Sequence, residues 1–301
     1  MDRSILGRAL DDLTVMPRFA ANLSMLFPER PFLDRFGCAA RDGFTAVEFL
    51  FPYDWASTDL ADRLTENSLT QVLFNLPPGS WKQGDRGLAC LPERTAEFRE
   101  SVDLALEYAS ALNCKRLHVM SGLVADRKDR DTLRTTYIEN LRHAADRAAE
   151  QGVTLLIEPL NPRDMPGYFL NSVPCALDVI AAVARPNLKL QADIYHLQRI
   201  QGELANTLTA HIGVIGHVQI ADTPGRHEPG TGEINYPFLF AVLDGLGYEG
   251  WVGCEYVPSS GAGAASDWMT AAGGTATLRS HNMGMRASSG DRSQVASVKK
   301  K

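Results

Sequence analysis

From Arg18 to Glu255 the chain repeats one pattern: a short apolar run, then an amphipathic stretch long enough for a helix. The apolar runs lie at 19–24, 46–50, 71–75, 116–120, 153–158, 188–193, 217–220 and 251–255 and read as strands. Helical spacing falls between them, near 31–42, 58–67, 93–112, 131–151, 172–184, 196–212 and 236–246. The stretch 131–151 is the clearest: Leu133, Tyr137, Leu141, Ala144, Ala145 and Ala148 share a face, and Gly152 follows as a stop. Strands and helices in such regular alternation predict an α/β protein with a parallel sheet. Eight units in one domain match the (β/α)8 TIM barrel. A chain of 301 residues with 45% apolar content can bury a single core of that size.

The parity of the strands argues for a closed ring. Side chains alternate between faces along a strand. With Glu158, Asp193, Gln219 and Glu255 pointing inward, Gln191 and His217 also point inward, while Leu190, Ala192, Val218, Ile220, Val252 and Cys254 point outward. In the earlier strands Asn22, Glu48, Asn75 and His118 take the inward face; Leu23, Val47, Phe49, Phe74, Leu117 and Val119 take the outward one. An open sheet with helices on both faces gives no reason for this sorting. A barrel does, because its mouth is wet, and its reactive groups stand at the C-terminal ends of the strands.

Four of those strand ends carry oxygen donors. Glu158 closes an apolar run and precedes Pro159, which has no N–H to extend a sheet. A carboxylate held there is costly unless its charge is compensated. For one such residue a salt bridge to Arg or Lys is the plain alternative, but Asp193, Gln219 and Glu255 end the next strands alike. Carboxylates this close cannot all stay ionised without a cation. An all-oxygen set suits a hard divalent ion, so Mg²⁺ or Mn²⁺ is the expected cofactor; zinc is disfavoured because none of the four is Cys or His. A hydrogen-bonded cluster without metal is the alternative, and the residues leave open whether metal is essential.

A divalent ion that holds a carbonyl and an adjacent hydroxyl oxygen polarises the C=O and stabilises the enediolate left when an α-proton departs. Glu158 and Glu255 flank the cluster and are the catalytic candidates, one to take the proton and one to return it; each transfer is typically worth ~10²–10⁴ in rate. His196, just past Asp193, is expected to reach a substrate oxygen, with a surface histidine as the alternative. His118 and Asn75, on inward positions, are further substrate-contact candidates. Arg226 and His227 lie in the Gly/Pro-rich stretch 223–232 and are expected to hold an anionic substrate, with backbone N–H groups of that stretch assisting. It is no phosphate-binding P-loop, since it lacks GK[ST]. The stretch 76–81, rich in turn formers, either covers the mouth or is an ordinary surface loop.

Composition removes other classes. The net charge of −6 argues against a general nucleic-acid partner. The five cysteines are odd in number and form no CxxC pair, which fits reduced thiols in a cytoplasmic protein. No apolar run is long enough to span a bilayer, so no membrane partner is expected. Residues 1–15 read as an N-terminal leader, with Met16 a plausible alternative start. The barrel is expected over 16–260. Residues 261–301 are Gly, Ala, Ser and Thr-rich and read as a low-complexity, disordered tail, apart from a short closing helix begun near Asp267-Trp268-Met269.

The run Met16-Pro17-Arg18-Phe19-Ala20-Ala21-Asn22-Leu23-Ser24-Met25-Leu26, then Leu156-Ile157-Glu158-Pro159-Leu160-Asn161, Asp193-Ile194-Tyr195-His196, His217-Val218-Gln219-Ile220-Ala221-Asp222 and the stretch from Arg226 to Tyr236 closely resemble the hydroxypyruvate isomerase family, among the xylose-isomerase-like barrels. The resemblance runs from about Met16 to Ser260. It implies interconversion of hydroxypyruvate and 2-hydroxy-3-oxopropanoate, with Glu158 and Glu255 as proton donor and acceptor. It also implies a divalent ion held by Glu158, Asp193, Gln219 and Glu255, and it allows a homo-oligomer. Related ketose 3-epimerases have His where this chain has Gln219, which favours the isomerase branch. A sister group acting on 2-oxo-tetronates shares much the same motifs. Three further readings stay in play: sugar epimerisation, abasic-site nuclease chemistry, and a non-catalytic sugar-binding barrel. The nuclease would need several zinc-binding histidines and a basic groove.

Overall fold

The computed structural model describes residues 17–124, 129–259 and 268–269. Eight parallel strands close into a barrel in chain order: β1 (Arg18–Asn22), β2 (Ala46–Glu48), β3 (Thr70–Asn75), β4 (Arg116–His118), β5 (Thr154–Ile157), β6 (Leu188–Asp193), β7 (Ile215–Ile220) and β8 (Trp251–Cys254). The seam pairs Arg18 with Trp251 and Ala21 with Cys254, so the ring has no free edge. The helices that cover it are α1 (Arg35–Arg41), α2 (Ser57–Glu66), α3 (Thr95–Ala111), α4 (Arg130–Ala149), α5 (Val173–Val183), α6 (Ile194–Ile200), α7 (Leu204–His211) and α8 (Tyr236–Gly245). The expected α/β TIM barrel is therefore the fold. The expectations for the leader 1–15 and most of the tail 261–301 lie outside the described residues.

Helix α4 shows how the outer layer forms. Asp129 caps it by accepting from the Asp131 N–H at 3.0 Å. Its buried face carries Leu133, Tyr137, Leu141, Ala144, Ala145 and Ala148. The three alanines let the helix lie close to the strands. Val153 N–H then bonds back to Ala148 O at 2.9 Å, turning the chain into β5.

Several boundaries differ from the sequence reading; β1, β2 and β4, for example, end two residues earlier than expected. The helix expected over 196–212 is two, α6 and α7. Gly202 and Glu203 between them have φ of 68° and 51°, a left-handed turn that ends α6 by bonding Gly202 N–H to Leu197 O. Glu158 and Glu255 lie one residue beyond β5 and β8 rather than inside them. Pro159 has no N–H to prolong the ladder of β5, so the acid falls at the rim.

Core packing is split by the sheet. Most buried apolar side chains lie between strands and helices. A small separate cluster, Ala20, Ala46, Val72, Leu73 and Leu156 with Trp251, plugs the inside of the barrel below the polar rim. Trp251 lies under the Arg18 guanidinium, 4.8 Å from its ring centre. Near the chain's far end, Trp268 and Met269 are helical, and Trp268 Nε1 donates to the Tyr256 hydroxyl at 2.7 Å. Its ring meets Phe19 and Phe240. A short closing segment was expected there, and these two residues dock. Among the described residues no helix is long and apolar enough to cross a membrane.

The inner plug makes a stability prediction. Leu156 is fully buried, and Leu156→Ala should lower unfolding free energy by about 2–5 kcal/mol. Urea denaturation with an unchanged m-value would register this; a loss well under 1 kcal/mol would mean the plug is not packed as described.

Candidate active site

The inward positions converge at the C-terminal rim. A cavity of roughly 180 Å³ opens there, lined by Asn75, His118, Glu158, Gln191, His196, Gln219, Arg226 and Glu255, with Met25, Phe51, Trp81 and Met165 as apolar wall. Drug-sized ligands fill cavities of about 300 Å³ or more, so this one suits a small molecule. The loop at 76–81 does reach the mouth: Trp81 contacts Phe51, ring centres 5.2 Å apart, and carries the Arg86 guanidinium 3.7 Å from its own ring centre.

Asp193 has two jobs. Its Oδ1 caps α6, accepting from the N–H of Tyr195 at 2.8 Å and of His196 at 3.4 Å. That leaves Oδ2 buried and without a hydrogen-bond partner. Glu158 repeats the theme. Its Oε2 accepts from Gln191 Nε2 at 3.0 Å, and its Oε1 is buried and unpartnered. Two buried carboxyl oxygens without hydrogen bonds are costly unless a ligand or a charge meets them, and Arg226 Nη2 lies 3.6 Å from Asp193 Oδ2. Glu158, Asp193 and His196 offer ligand atoms within 4.8 Å of one another.

His196 is better suited to donate than to ligate. Its Nδ1 accepts the Asn161 backbone N–H at 3.1 Å. A backbone amide only donates, so Nδ1 carries no proton and Nε2 does. Burial, reinforced by the Arg226 charge, lowers its pKa to about 4 against the pull of Asp193, so the ring is neutral. Its N–H then points toward the cavity beside Asp193 Oδ2, 3.7 Å away. His196 thus presents a hydrogen-bond donor in the lining of the cavity. His118 is likewise neutral: burial, then the nearby His196 and His217, push it to about 3.

Arg226 is the positive charge among the acids. Its Nη2 lies 3.0 Å from Glu255 Oε2 and 3.6 Å from Asp193 Oδ2. Burial acts to lower its pKa, but Glu255, Asp193 and Glu158 more than reverse this, so it stays charged. Its φ of 55° is uncommon for a residue with a side chain. The loop that imposes it is built on Asp222, whose carboxylate accepts the backbone N–H of Thr223, Gly230, Gly232 and Ile234 at 2.9–3.1 Å. Those amides were expected to help hold an anion; they hold Asp222 instead. His227 also turns elsewhere, its Nδ1 lying 2.7 Å from Val257 O. Asp222, Gln191 and Glu48 had no assigned role in the sequence reading. Parity had already turned Gln191 and Glu48 inward, and Asp222 closes the motif that begins at His217, but none of these signals names a hydrogen-bond partner.

Three acids against one guanidinium leave excess negative charge. Burial, then the charges of Asp193 and Glu255, raises the Glu158 pKa well above the ordinary carboxylate range. Glu255 is pushed up to about 8 by burial and by Asp193 and Glu48, although Arg226 opposes them.

The family described as xylose isomerase-like TIM barrel matches residues 36–272, and the chain belongs to it. Its relatives make it an enzyme of the isomerase class. A 2-oxo-tetronate isomerase from Cupriavidus necator is 56% identical over 84% of this chain and 98% of its own. A hydroxypyruvate isomerase from Escherichia coli is 49% identical over the same shares, 84% and 98%. The crystal structure of a Brucella melitensis protein named AP endonuclease, family 2, is 51% identical, covers 85% of this chain and 99% of that one, and superposes with a TM-score of 0.83.

The raised Glu255 pKa fixes a pH dependence. At Glu255 the folded protein holds more proton than the unfolded chain between the ordinary glutamate value of about 4.3 and about 8. Below about pH 6.5 the buried neutral His118 and His196 act the other way, so the Glu255 contribution is read above that range, where stability of the metal-free protein should fall as pH rises. Urea midpoints taken from about pH 7 to pH 8 should decline, and Glu255→Gln should decline less. An equal slope in the two proteins would contradict the assignment.

Proposed function

We propose that this chain moves a carbonyl between neighbouring carbons of a short hydroxy-carbonyl acid, and that hydroxypyruvate and 2-hydroxy-3-oxopropanoate are the pair it interconverts. The single observation that carries the reading is the convergence of Glu158 and Glu255 on one small cavity, both with affinity for a proton raised by burial. A carboxylate that ionises near neutral pH is suited both to take a proton and to give one back.

The donor set fits a hard divalent ion. Glu158 Oε1 and Asp193 Oδ2 are buried and unpartnered, and the acids outnumber the guanidinium. Glu158, Asp193, Gln219 and Glu255 are the residues that would hold Mg²⁺ or Mn²⁺. When bound, the ion would polarise the substrate carbonyl and stabilise negative charge on its oxygen. The chain's own groups do the rest. One of Glu158 and Glu255 removes the proton from the hydroxyl-bearing carbon. The C–H electron pair moves to give an enediolate, and the other glutamic acid delivers a proton to the former carbonyl carbon; the hydroxyl proton passes to the former carbonyl oxygen as the new C=O forms. The His196 Nε2–H donates to a substrate oxygen. Arg226 pairs with the substrate carboxylate. The apolar wall of Met25, Phe51 and Trp81 keeps water from the intermediate. None of the five cysteines is in a disulfide, which supports a reducing, cytoplasmic setting.

A second reading has an observation in its favour: the Cupriavidus relative, at the higher identity, is named a 2-oxo-tetronate isomerase. Its chemistry is the same with one more carbon, and a panel of C3, C4 and C6 hydroxy-carbonyl substrates ranked by kcat/KM separates the two. Strand cleavage of abasic DNA, the activity for which the Brucella protein is named, has less support. Among the described residues this cavity is lined by two histidines, His118 and His196, fewer than a cluster of zinc sites needs, and the chain is net negative.

Glu158→Gln and Glu255→Gln should each lower kcat by at least about 10² while circular dichroism stays native. Either variant turning over the preferred substrate near the wild-type rate would end the two-carboxylate scheme. Turnover should also fall after chelation and recover with added Mg²⁺ or Mn²⁺; full activity after exhaustive chelation would remove the ion from the proposal.

A further inference from the structure

Beneath the cavity, on the barrel floor, lies a charge that the proposed chemistry leaves unused. Glu48 at the end of β2 is fully buried. Its Oε1 accepts from Asn22 Nδ2 at 3.0 Å and from Gln219 Nε2 at 2.7 Å. Its Oε2 lies 2.7 Å from His217 Nε2. Across the barrel, β8 makes room for it: a Cβ on Gly253 would lie 2.3 Å from both carboxylate oxygens.

A glutamine amide has two ends of nearly the same shape and opposite hydrogen-bonding character. Which end faces a site is decided by its partners. A carboxylate only accepts, so Glu48 fixes Gln219 with its NH₂ toward the floor and its carbonyl oxygen away from it. That oxygen accepts from Gln191 Nε2 at 2.6 Å, and Gln191 Nε2 also donates to Glu158 Oε2 at 3.0 Å. One line of contacts thus runs from β2 through β7 and β6 to the proton-transferring acid. With Gln219 turned over, an NH₂ group would face the acids and repel any cation they hold.

We propose that Glu48 is a positioning residue: it sets the Gln219 amide so that its oxygen faces the carboxylate cluster, and so makes a neutral residue serviceable as a ligand there. The inference rests on the metal-assisted isomerase reading above. Outer contacts of this kind typically change metal affinity by about 10–100-fold when removed.

Three variants separate orientation from charge and from mere packing. Glu48→Gln keeps an acceptor for Gln219 and turns its own NH₂ to His217, whose ring can accept as the other tautomer. Glu48→Asp keeps the charge but withdraws it by one methylene. Glu48→Leu removes the acceptor. Mn²⁺ affinity is read by titration calorimetry on the full-length protein, with circular dichroism and thermal melting as fold controls. Glu48→Gln should bind within about threefold of wild type, and Glu48→Asp and Glu48→Leu about 10–100-fold more weakly. If Glu48→Leu does not fold, the comparison of Glu48→Asp with Glu48→Gln decides. Wild-type affinity in a folded Glu48→Asp or Glu48→Leu would overturn the proposal. So would Glu48→Gln weakening as much as Glu48→Leu, since charge would then be the cause. Loss of fold in Glu48→Asp would make Glu48 purely structural and overturn it too. Wild-type protein that binds no Mn²⁺ would instead sink the metal-assisted reading, and this inference with it.

Discussion

Like charges brought together out of water define this molecule. Glu158 and Glu255 line one cavity from separate strands and Asp193 lies beside it, each almost entirely buried. Desolvation disfavours each anion, and each anion disfavours the others. Arg226 offsets part of the charge. What remains leaves carboxylates holding protons near neutral pH and oxygens without partners. The same excess that makes the site costly to fold is what the proposed metal and proton chemistry would draw on.

The barrel tolerates this because the charge is confined to its rim. Below lies the small apolar plug around Leu156, and outside lies the thick layer between strands and helices. The rim itself is tied down by acids that take no part in proton transfer. Asp222 gathers the backbone amides of the loop that delivers Arg226. Glu48 gathers the side chains of Asn22, His217 and Gln219. Each accepts several hydrogen bonds at once, which is how a buried carboxylate is made tolerable. Register irregularities opposite Val47/Glu48 and Leu190/Gln191 fall beside these same polar side chains, where a bulge re-aims what a regular strand would misplace.

Family membership and site geometry bear on different questions. Relatives named for C3 and C4 acids match this chain over nearly their whole length. Both names are those of isomerases, and the two buried glutamic acids around a small cavity suit the proton transfer proposed above.

The sequence by itself determined the periodicities. Alternation of strand and helix, the inward parity from Asn22 to Glu255, and the polar residue at each strand end follow from local spacing, and local spacing is what a linear chain carries. The tertiary structure alone decided which atoms meet. The left-handed turn at Gly202, the withdrawal of the loop amides onto Asp222, the turning of His227 toward Val257 and the hold of Glu48 on Gln219 all join groups distant in sequence or depend on a backbone path. Hydrogen bonds act over about 3 Å, and no residue spacing encodes a distance of that kind across a barrel.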